Sequence, residues 1–245
     1  MQAESEALNS KMFLDSFADI EAWLRKLAQS DRSTPFYYLV ERATKTNRDV
    51  RRYGDELKEF ADLRNAIIHE RTDGHVIAEP NRRAVDDIMR IRSALLKPLV
   101  LIPRFQRLVR VREIQDSIAS AVSDMRRDAF SQLPILKEGK IAAVLTSDTV
   151  VRWLASEVAN DLVSLMDTKV EAVIPYTEDP ENYSLLSAQS TLQEAVSCFE
   201  DFAVKGKRLD AVLITRNARP IGPLLGILTI FDLPEILGNL GLRRL

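Results

Sequence analysis

The sequence predicts a multidomain α plus α/β protein, in which a helical bundle precedes a domain with an internal repeat. Three observations predict this. Apolar residues recur at helical spacing through residues 1–98, and a helix-strand-strand-helix pattern occurs twice after residue 112. The charge also changes sign, because residues 1–112 hold 21 Lys and Arg against 17 Asp and Glu, and residues 113–245 hold 13 against 19. A chain of 245 residues is long enough for two ordinary domains.

The composition is that of a globular protein, with 46% hydrophobic and 29% charged residues. A single cysteine excludes an internal disulfide and suits a reducing compartment. No apolar run approaches the roughly 18 residues of a membrane span, and the acidic N-terminus lacks a signal-peptide core. We therefore expect a cytoplasmic protein with no membrane partner. The mild positive charge of residues 1–112 is far from that of an obligate nucleic-acid binder, and solvated helix faces explain it.

Four helices are predicted in residues 1–98. The first carries an apolar face at steps of four and three: Phe13, Phe17, Ile20, Leu24 and Leu27. Asn9 or Ser10 is its expected cap. Thr34 followed by Pro35 is a start signal for the second helix.

The third predicted helix is centred on residues 53–68 and has a break at Gly54. Asp73-Gly74 marks a turn, and Pro80 opens a fourth helix that ends before Pro98. Four helices with short connections favour an up-and-down bundle.

The third helix carries a charged residue where its apolar seam predicts a hydrophobic one. The seam steps through positions 53, 57 and 60, and the next step falls on Arg64, which is followed by Asn65 and then His69. The pattern resembles the Arg-x4-6-His signature of HEPN domains. This resemblance, over roughly residues 10–98, implies a small helical bundle that commonly dimerises and is in many members a metal-independent endoribonuclease.

The chemistry of these residues is consistent with RNA as a substrate. His69 can act as the base toward a 2′-hydroxyl, Arg64 can stabilise charge on the phosphate, and Asn65 can orient either group. Positions five apart on a helix are separated by roughly 140°, so a two-fold dimer would be needed to bring both types of side chain into one cleft. The alternative is structural: His69 ties a helix end, Arg64 pairs with Glu70 or Asp62, and the bundle only dimerises or recruits a partner.

Residues 99–112 form a predicted connector and arm. An apolar stretch bounded by Pro98 and Pro103 indicates an extended segment that packs on something. A basic run follows: Arg104, Arg107, Arg110 and Arg112. These arginines can meet phosphate, RNA or the acidic second half, and solvated linker charge is the simplest explanation.

The second half contains a repeat. Residues 117–125 match residues 191–199 in helical spacing, and a Ser or Thr caps both copies. In the first copy, at about 113–157, strands at 132–136 and 141–145 follow. In the second, at about 187–240, strands at 211–214 and 224–228 follow. No function is assigned to residues 158–186.

The second copy ends on the pattern Gly226-x-x-Thr229-x-x-Asp232 at a strand-to-helix junction. The Thr229 hydroxyl and the first helical N–H groups can face a phosphate. The Asp232 carboxylate can accept hydrogen bonds from both ribose hydroxyls. The structural alternative for Asp232 is a helix N-cap.

The two copies together, over about 108–240, resemble a tandem pair of CBS domains, the β-α-β-β-α regulatory modules named after cystathionine β-synthase. The resemblance implies an adenosine ligand: AMP, ADP, ATP or S-adenosylmethionine. Thr229 would then contact phosphate and Asp232 ribose, and the backbone near three further residues would read the base: Ala211, Val212 and Leu213. Basic residues in the second copy's loops are candidates to neutralise phosphate: Lys205, Lys207, Arg208, Arg216 and Arg219.

The first copy departs from the CBS pattern. Ala143 replaces the glycine, Thr146 is retained, Asp148 comes one place early and Thr149 takes the ribose position, so Thr146 and Asp148 are the candidate nucleotide-binding residues of this copy. We therefore expect one nucleotide site, at Asp232. Two histidines and one cysteine do not favour a zinc site, so no metal is expected.

These expectations combine into a regulator in which nucleotide at the CBS pair shifts the geometry of a HEPN-like homodimer or a higher even oligomer. One hypothesis is a nucleotide-gated ribonuclease. The others are a sensor without catalysis and a scaffold whose cleft is empty.

Overall fold

The computed structural model describes residues 2–69, 71–72, 75–76, 78–158 and 163–241. The chain divides into two compact units, which we call the first unit (residues 1–99) and the second unit (residues 100–245).

The first unit is helical. Its elements are α1 (Gln2–Leu27), α2 (Phe36–Thr44), α3 (Arg48–Arg52), α4 (Gly54–His69), the short strands β1 (Arg71–Thr72) and β2 (His75–Val76), and α5 (Arg82–Leu96). The two strands pair in antiparallel fashion. The predicted turn at Asp73-Gly74 lies outside the described residues. The core includes Phe13, Ile20 and Leu57 at predicted apolar positions, together with Leu39, Ile88 and Ile91. Leu27, which was predicted on the apolar face of α1, is 40% exposed.

Three helix boundaries differ from the prediction. The helix α1 begins at Gln2, well before the predicted caps Asn9 and Ser10, because the residues ahead of them include the strong helix formers Ala, Glu and Leu. The break that was predicted at Gly54 falls at Tyr53, which separates α3 from α4, and Gly54 is the first residue of α4. The helix α5 begins at Arg82, two residues after Pro80, because the Asn81 side chain accepts a hydrogen bond from the Ala84 N–H at 2.9 Å and so caps the helix.

The second unit contains the same β-α-β-β-α motif twice. The first copy consists of β3 (Arg112–Glu113), α6 (Ile118–Arg127), β4 (Gln132–Lys137), β5 (Lys140–Thr146) and α7 (Ser147–Glu157). A short α8 (Val170–Val173) and a 3₁₀ turn (Ile174–Tyr176) follow. The second copy consists of β6 (Tyr183–Ser187), α9 (Leu192–Val204), β7 (Ala211–Thr215), β8 (Gly226–Leu228) and α10 (Leu233–Asn239).

Each copy has a three-stranded sheet in which the middle strand pairs parallel to the first strand and antiparallel to the last. The two sheets share a small core between them, which includes Ile141 and Val144 from β5 and Ala211 and Leu213 from β7. The register of β4 against β5 shifts beside Ala142. Because of this bulge, Ile141 and Val144 can both face the other sheet although they are three residues apart. The strand β8 begins at Gly226 rather than at the predicted residue 224.

The segment that precedes each copy packs on the other copy. Leu101 and Phe105, from the arm, are buried in the core of the second copy beside Leu192 and Ile236. Conversely, α8 buries Val170 and Val173 in the core of the first copy, together with Ile118 and Trp153. Backbone bridges join Val100 to Thr191 and Ser117 to Lys169 in the same two places. The arm from residue 100 onward is therefore a structural part of the second unit.

Candidate functional site

Thr229 and Asp232 open onto a cleft of about 800 Å³ within the second unit, which we call the Asp232 cleft. Three segments far apart in sequence build it: the arm at 107–111, the loop at 128–132 before β4, and the end of the second copy at Ile227, Thr229, Phe231 and Asp232. The cleft is thus formed between the two copies. A space of this size can hold a nucleotide-sized ligand.

A strand-to-helix turn positions Asp232. The strand β8 ends at Leu228, and a 3₁₀ turn at Ile230–Asp232 leads into α10. One carboxylate oxygen, Oδ2, accepts hydrogen bonds from the Thr229 N–H at 2.7 Å and the Thr229 hydroxyl at 3.2 Å. The Thr229 hydroxyl in turn accepts from the Phe231 N–H at 3.3 Å. Asp232 therefore does take part in a helix cap, but only through Oδ2.

The second oxygen of Asp232 is bound by the arm. Arg107 Nη2 lies 2.7 Å from Asp232 Oδ1, and the two side chains are 43% and 16% exposed. A second arginine of the cleft, Arg110, forms an ion pair with Asp128 at 2.6 Å. The sequence offered phosphate, RNA and the acidic second half as partners for the basic run. In the structure, Arg107 and Arg110 pair with acidic groups of the second half. Both arginines remain accessible from the cleft, so an anionic ligand can reach them.

Apolar side chains line the rest of the Asp232 cleft. They are Leu108, Val109, Val111, Phe130, Ile227 and Phe231. Leu108 is 99% exposed and Phe231 is 82% exposed, although both are large and hydrophobic. Exposed apolar and aromatic surface beside arginine and a carboxylate can accommodate a planar base together with a polar sugar.

A smaller cleft of about 220 Å³ contains the corresponding residues of the first copy, and we call it the Thr149 cleft. Thr146, Asp148 and Thr149 line it at the junction of β5 and α7. Thr149 is buried, and its hydroxyl lies 2.9 Å from that of Thr146. Asp148 forms an ion pair with Arg152 at 2.8 Å. No carboxylate occupies the position that Asp232 holds in the other cleft.

Acidic groups dominate the rest of the Thr149 cleft. Its lining includes Glu178, Asp179 and Asp210, with Lys207 and Arg208 as the basic residues. Lys207 bridges Asp179 at 3.2 Å and Glu181 at 3.1 Å, and Arg208 pairs with Asp210 at 2.7 Å. These two basic residues, which were candidates for phosphate at Asp232, lie in the other cleft. An anionic ligand would meet carboxylates here.

The predicted base-reading residues lie elsewhere. Ala211, Val212 and Leu213 are fully buried in β7 and line neither cleft, and β7 follows the loop that lines the Thr149 cleft. The equivalent loop beside Asp232 is 128–132, ahead of β4. Sequence reasoning missed this loop and the arm as parts of the site. The basic run in the arm was the one feature of the sequence that could have indicated that the arm belongs to the site.

Asp124 fastens the arm next to the cleft. Its carboxylate is 1% exposed and lies 2.7 Å from both Arg112 Nε and Arg127 Nη2. The hydrogen bond from Arg112 holds the pKa of Asp124 below its usual value, although burial acts in the opposite direction. A buried carboxylate with two arginine partners is a strong local anchor, because removal of a partner leaves an uncompensated charge.

In the first unit, α4 continues through His69, so Arg64, Asn65 and His69 share one helix. Arg64 is half-buried, and its Nη1 donates to Asn65 Oδ1 at 3.2 Å. Asp62, one of the predicted partners of Arg64, accepts a hydrogen bond from the Tyr37 hydroxyl at 2.5 Å. The side chain of His69 and all of Glu70 lie outside the described residues.

Comparisons with known proteins find CBS-domain proteins among solved structures. A CBS domain-containing protein from Kribbella flavida is 17% identical, with 55% of this chain and 95% of that chain covered and a TM-score of 0.42. One from Agrobacterium tumefaciens is 19% identical, with 56% and 89% covered and a TM-score of 0.41. One from Streptococcus pneumoniae is 14% identical, with 56% and 81% covered and a TM-score of 0.40.

No protein-family model and no curated protein matches the sequence. The structural neighbours are thus CBS-domain proteins, and at these TM-scores they indicate nothing about the ligand. Within the part of the chain that the structure describes, no helix is long and apolar enough to cross a membrane. The same described residues contain no group of three His, Cys, Asp or Glu side chains that could hold a metal ion.

Proposed function

We propose that the second unit is a CBS pair that senses an adenine nucleotide in the Asp232 cleft and thereby controls the first unit. One observation carries this proposal. Thr229, Asp232, two arginines and an apolar wall converge on one cleft of about 800 Å³, although they come from three separate segments. Convergence of polar groups in a large, partly apolar cleft is typical of a ligand site.

The side chains suggest a role for each part of the cleft. Asp232 accepts from the ribose hydroxyls, and the Thr229 hydroxyl lies beside it for a phosphate or ribose oxygen. Arg107 and Arg110 meet the phosphates. Phe130, Phe231 and their apolar neighbours pack against the base.

One nucleotide site is proposed, at Asp232. The Thr149 cleft is about 220 Å³ against about 800 Å³, and its ribose position holds a buried threonine instead of a carboxylate. Its carboxylates would also repel phosphate. Asp148, which the sequence offered as a candidate ligand there, is already paired with Arg152.

Nucleotide binding can control the first unit only if two arrangements of the protein differ in nucleotide affinity. We propose a homodimer, or a higher even oligomer, whose arrangement is the regulated property. The helical first unit would then either act as a HEPN-like ribonuclease or recruit a partner without catalysis.

Thermal unfolding with AMP, ADP, ATP and S-adenosylmethionine tests the sensing role. A ligand at about a hundred times its Kd adds roughly 2.7 kcal/mol, and each kcal/mol shifts the midpoint of a protein of this size by roughly 2–4 °C. Asp232→Ala should abolish the shift. The matched control is Asp148→Ala in the Thr149 cleft, which should keep it. If no ligand shifts the wild type, or if Asp232→Ala keeps the full shift, the proposal is wrong.

Arg64 provides the observation that favours the ribonuclease alternative. It is half-buried and hydrogen-bonded to the adjacent Asn65, so the described side chains give it no carboxylate partner. His69→Ala should abolish RNA cleavage while the unfolding midpoint stays near that of the wild type, with Arg32→Ala as a control at an exposed arginine of the first unit. Cleavage that is equal in His69→Ala would leave the sensor without catalysis as the function of the first unit.

A further inference from the structure

The ion pair between Arg107 and Asp232 is part of the lining of the Asp232 cleft. Both residues line the cleft, and they are 125 positions apart in sequence. We propose that Arg107 makes this cleft specific for ribonucleoside phosphates, because it exchanges Asp232 for the phosphate of the ligand. This inference rests on the proposed nucleotide site and names the ligand class that the site selects.

The first step of the argument is competition for one oxygen. Oδ2 of Asp232 is held by the backbone and hydroxyl of Thr229, whereas Oδ1 accepts from Arg107 at 2.7 Å. A ribose that binds Asp232 must therefore donate to the oxygen that Arg107 occupies. The carboxylate has about four acceptor sites, of which Thr229 uses two and Arg107 a third, so two ribose hydroxyls can both donate to Asp232 only if one of them replaces Arg107. Ribose binding thus loosens the ion pair.

The second step concerns the released guanidinium. Arg107 is 43% exposed and faces the same cleft as Arg110, whose own carboxylate partner is Asp128. Without a new anion, Arg107 would keep its charge in a partly desolvated cleft after losing its carboxylate partner. A phosphate gives Arg107 a bidentate partner and offsets the loss of Asp232. An unphosphorylated nucleoside offers no such partner, so loss of the ion pair reduces its binding free energy without compensation.

The same electrostatics disfavour a cationic ligand. The sulfonium of S-adenosylmethionine takes the place of the phosphate group of AMP and would be repelled by Arg107 and Arg110, so only the carboxylate at the end of its methionine chain could pair with them. The Thr149 cleft provides a contrast within the molecule. There the corresponding segment before the second copy contributes Glu178 and Asp179 in place of the arginines of the arm. Selection for phosphate is therefore a property of the Asp232 cleft.

Calorimetric titration of the full chain with adenosine, AMP, ADP and S-adenosylmethionine tests the exchange. Wild type should bind AMP about tenfold or more tightly than adenosine, the size expected for a hydrogen bond to a charged group. Arg107→Gln should lose about tenfold in AMP affinity. Its affinity for adenosine should be equal or higher, because Oδ1 is free. Arg104→Gln is the matched control, since Arg104 is in the same arm but binds Asn239.

A readout on the wild type makes the test independent of any folding defect in Arg107→Gln. Added NaCl should weaken AMP binding and leave adenosine binding unchanged or stronger, because screening weakens the phosphate contact and the ion pair. The inference is overturned, with nucleotide sensing intact, if wild type binds adenosine as tightly as AMP. It is also overturned if Arg107→Gln keeps the wild-type ratio of AMP affinity to adenosine affinity. If wild type binds none of the four ligands, the proposed function itself fails and the inference falls with it.

Discussion

The backbone carbonyl of Phe105 lies directly against Gly226, in the space that a side chain on residue 226 would occupy. The contact joins the arm to β8, and the Arg107 N–H continues it by donating to the Leu225 carbonyl at 3.0 Å. The glycine of the Gly-x-x-Thr-x-x-Asp pattern thus has a structural reason: it lets the arm approach β8 closely enough to place Arg107 in the cleft.

Gly226→Ala should therefore destabilise the second unit by about 1–3 kcal/mol, because the added methyl would overlap the Phe105 carbonyl. Gly238→Ala is the matched control. Gly238 is in α10, and a methyl there would meet nothing within 4 Å, so it should be neutral or stabilising by up to about 1 kcal/mol.

Trp153 offers a probe for these measurements. It is buried in the second unit, whereas Trp23, the other tryptophan of the chain, is in the first. In a Trp23→Phe background, urea unfolding followed by fluorescence reports the second unit alone. Equal midpoints for Gly226→Ala and Gly238→Ala would contradict the proposed role of Gly226.

The position of Leu101 in the core leads to a second prediction. Although Leu101 precedes the first copy, it is fully buried in the core of the second. Leu101→Ala should lower the free energy of unfolding by about 2–5 kcal/mol, as truncation of other large core residues does. Leu108→Ala, at a 99% exposed position of the same arm, should change the stability by less than about 0.5 kcal/mol. A small effect at Leu101 would mean that the arm is a dispensable linker.

Asp124, which anchors the arm through Arg112, should be the carboxylate most sensitive to loss of its charge. Asp124→Asn removes the charge from a carboxylate that is 1% exposed and bound by Arg112 and Arg127, and it should cost about 1.5–3 kcal/mol. Asp116→Asn is the control: Asp116 also meets Arg112, but at 3.6 Å and in a more exposed position. It should cost less than about 1 kcal/mol. Similar losses for the two variants would contradict the anchoring role of Asp124.

The same group predicts an acid dependence. The arginines lower the pKa of Asp124 from its ordinary value of 3.8 in the folded state, with the hydrogen bond from Arg112 as the largest cause. The stabilisation is therefore fully present above pH 3.8 and is lost as the pH falls through the folded pKa. The stability difference between wild type and Asp124→Asn should shrink as the pH falls below about 4. A difference that is constant between pH 3 and pH 7 would show that the carboxylate contributes no charge-dependent stability.

Local patterns predicted much of the fold. Helical spacing placed the apolar face of α1, and the repeated residues at 117–125 and 191–199 placed α6 and α9 with their Ser117 and Thr191 caps. Such patterns work because amphipathicity and capping depend on residues within a few positions of one another. The start of α1 was misplaced because Asn9 and Ser10 can cap a helix but are also tolerated inside one.

The nucleotide site was predicted only in part, because only some of its residues form a local pattern. The pattern Thr-x-x-Asp at residues 229–232 is local, and the sequence alone placed it at a strand end, but the N-cap is Thr229 rather than Asp232, which is the third residue of the turn that Thr229 caps. Which loop and which basic residues would face it depended on the crossing of the arm onto the second copy. Lys207 and Arg208 were nearer in sequence to Asp232 than Arg107 is, yet they line the other cleft.

The sequence by itself determined the two-part organisation, the repeat, and the positions of Thr229 and Asp232, because each is a pattern of neighbouring residues. Only the tertiary structure decided that Arg107 pairs with Asp232, that Gly226 receives the Phe105 carbonyl, and that the two clefts differ in size and charge. The physical reason is that both contacts join segments more than a hundred residues apart and that each cleft is built from separate segments. Their formation depends on how the sheets and the arm pack together, which local propensity does not encode.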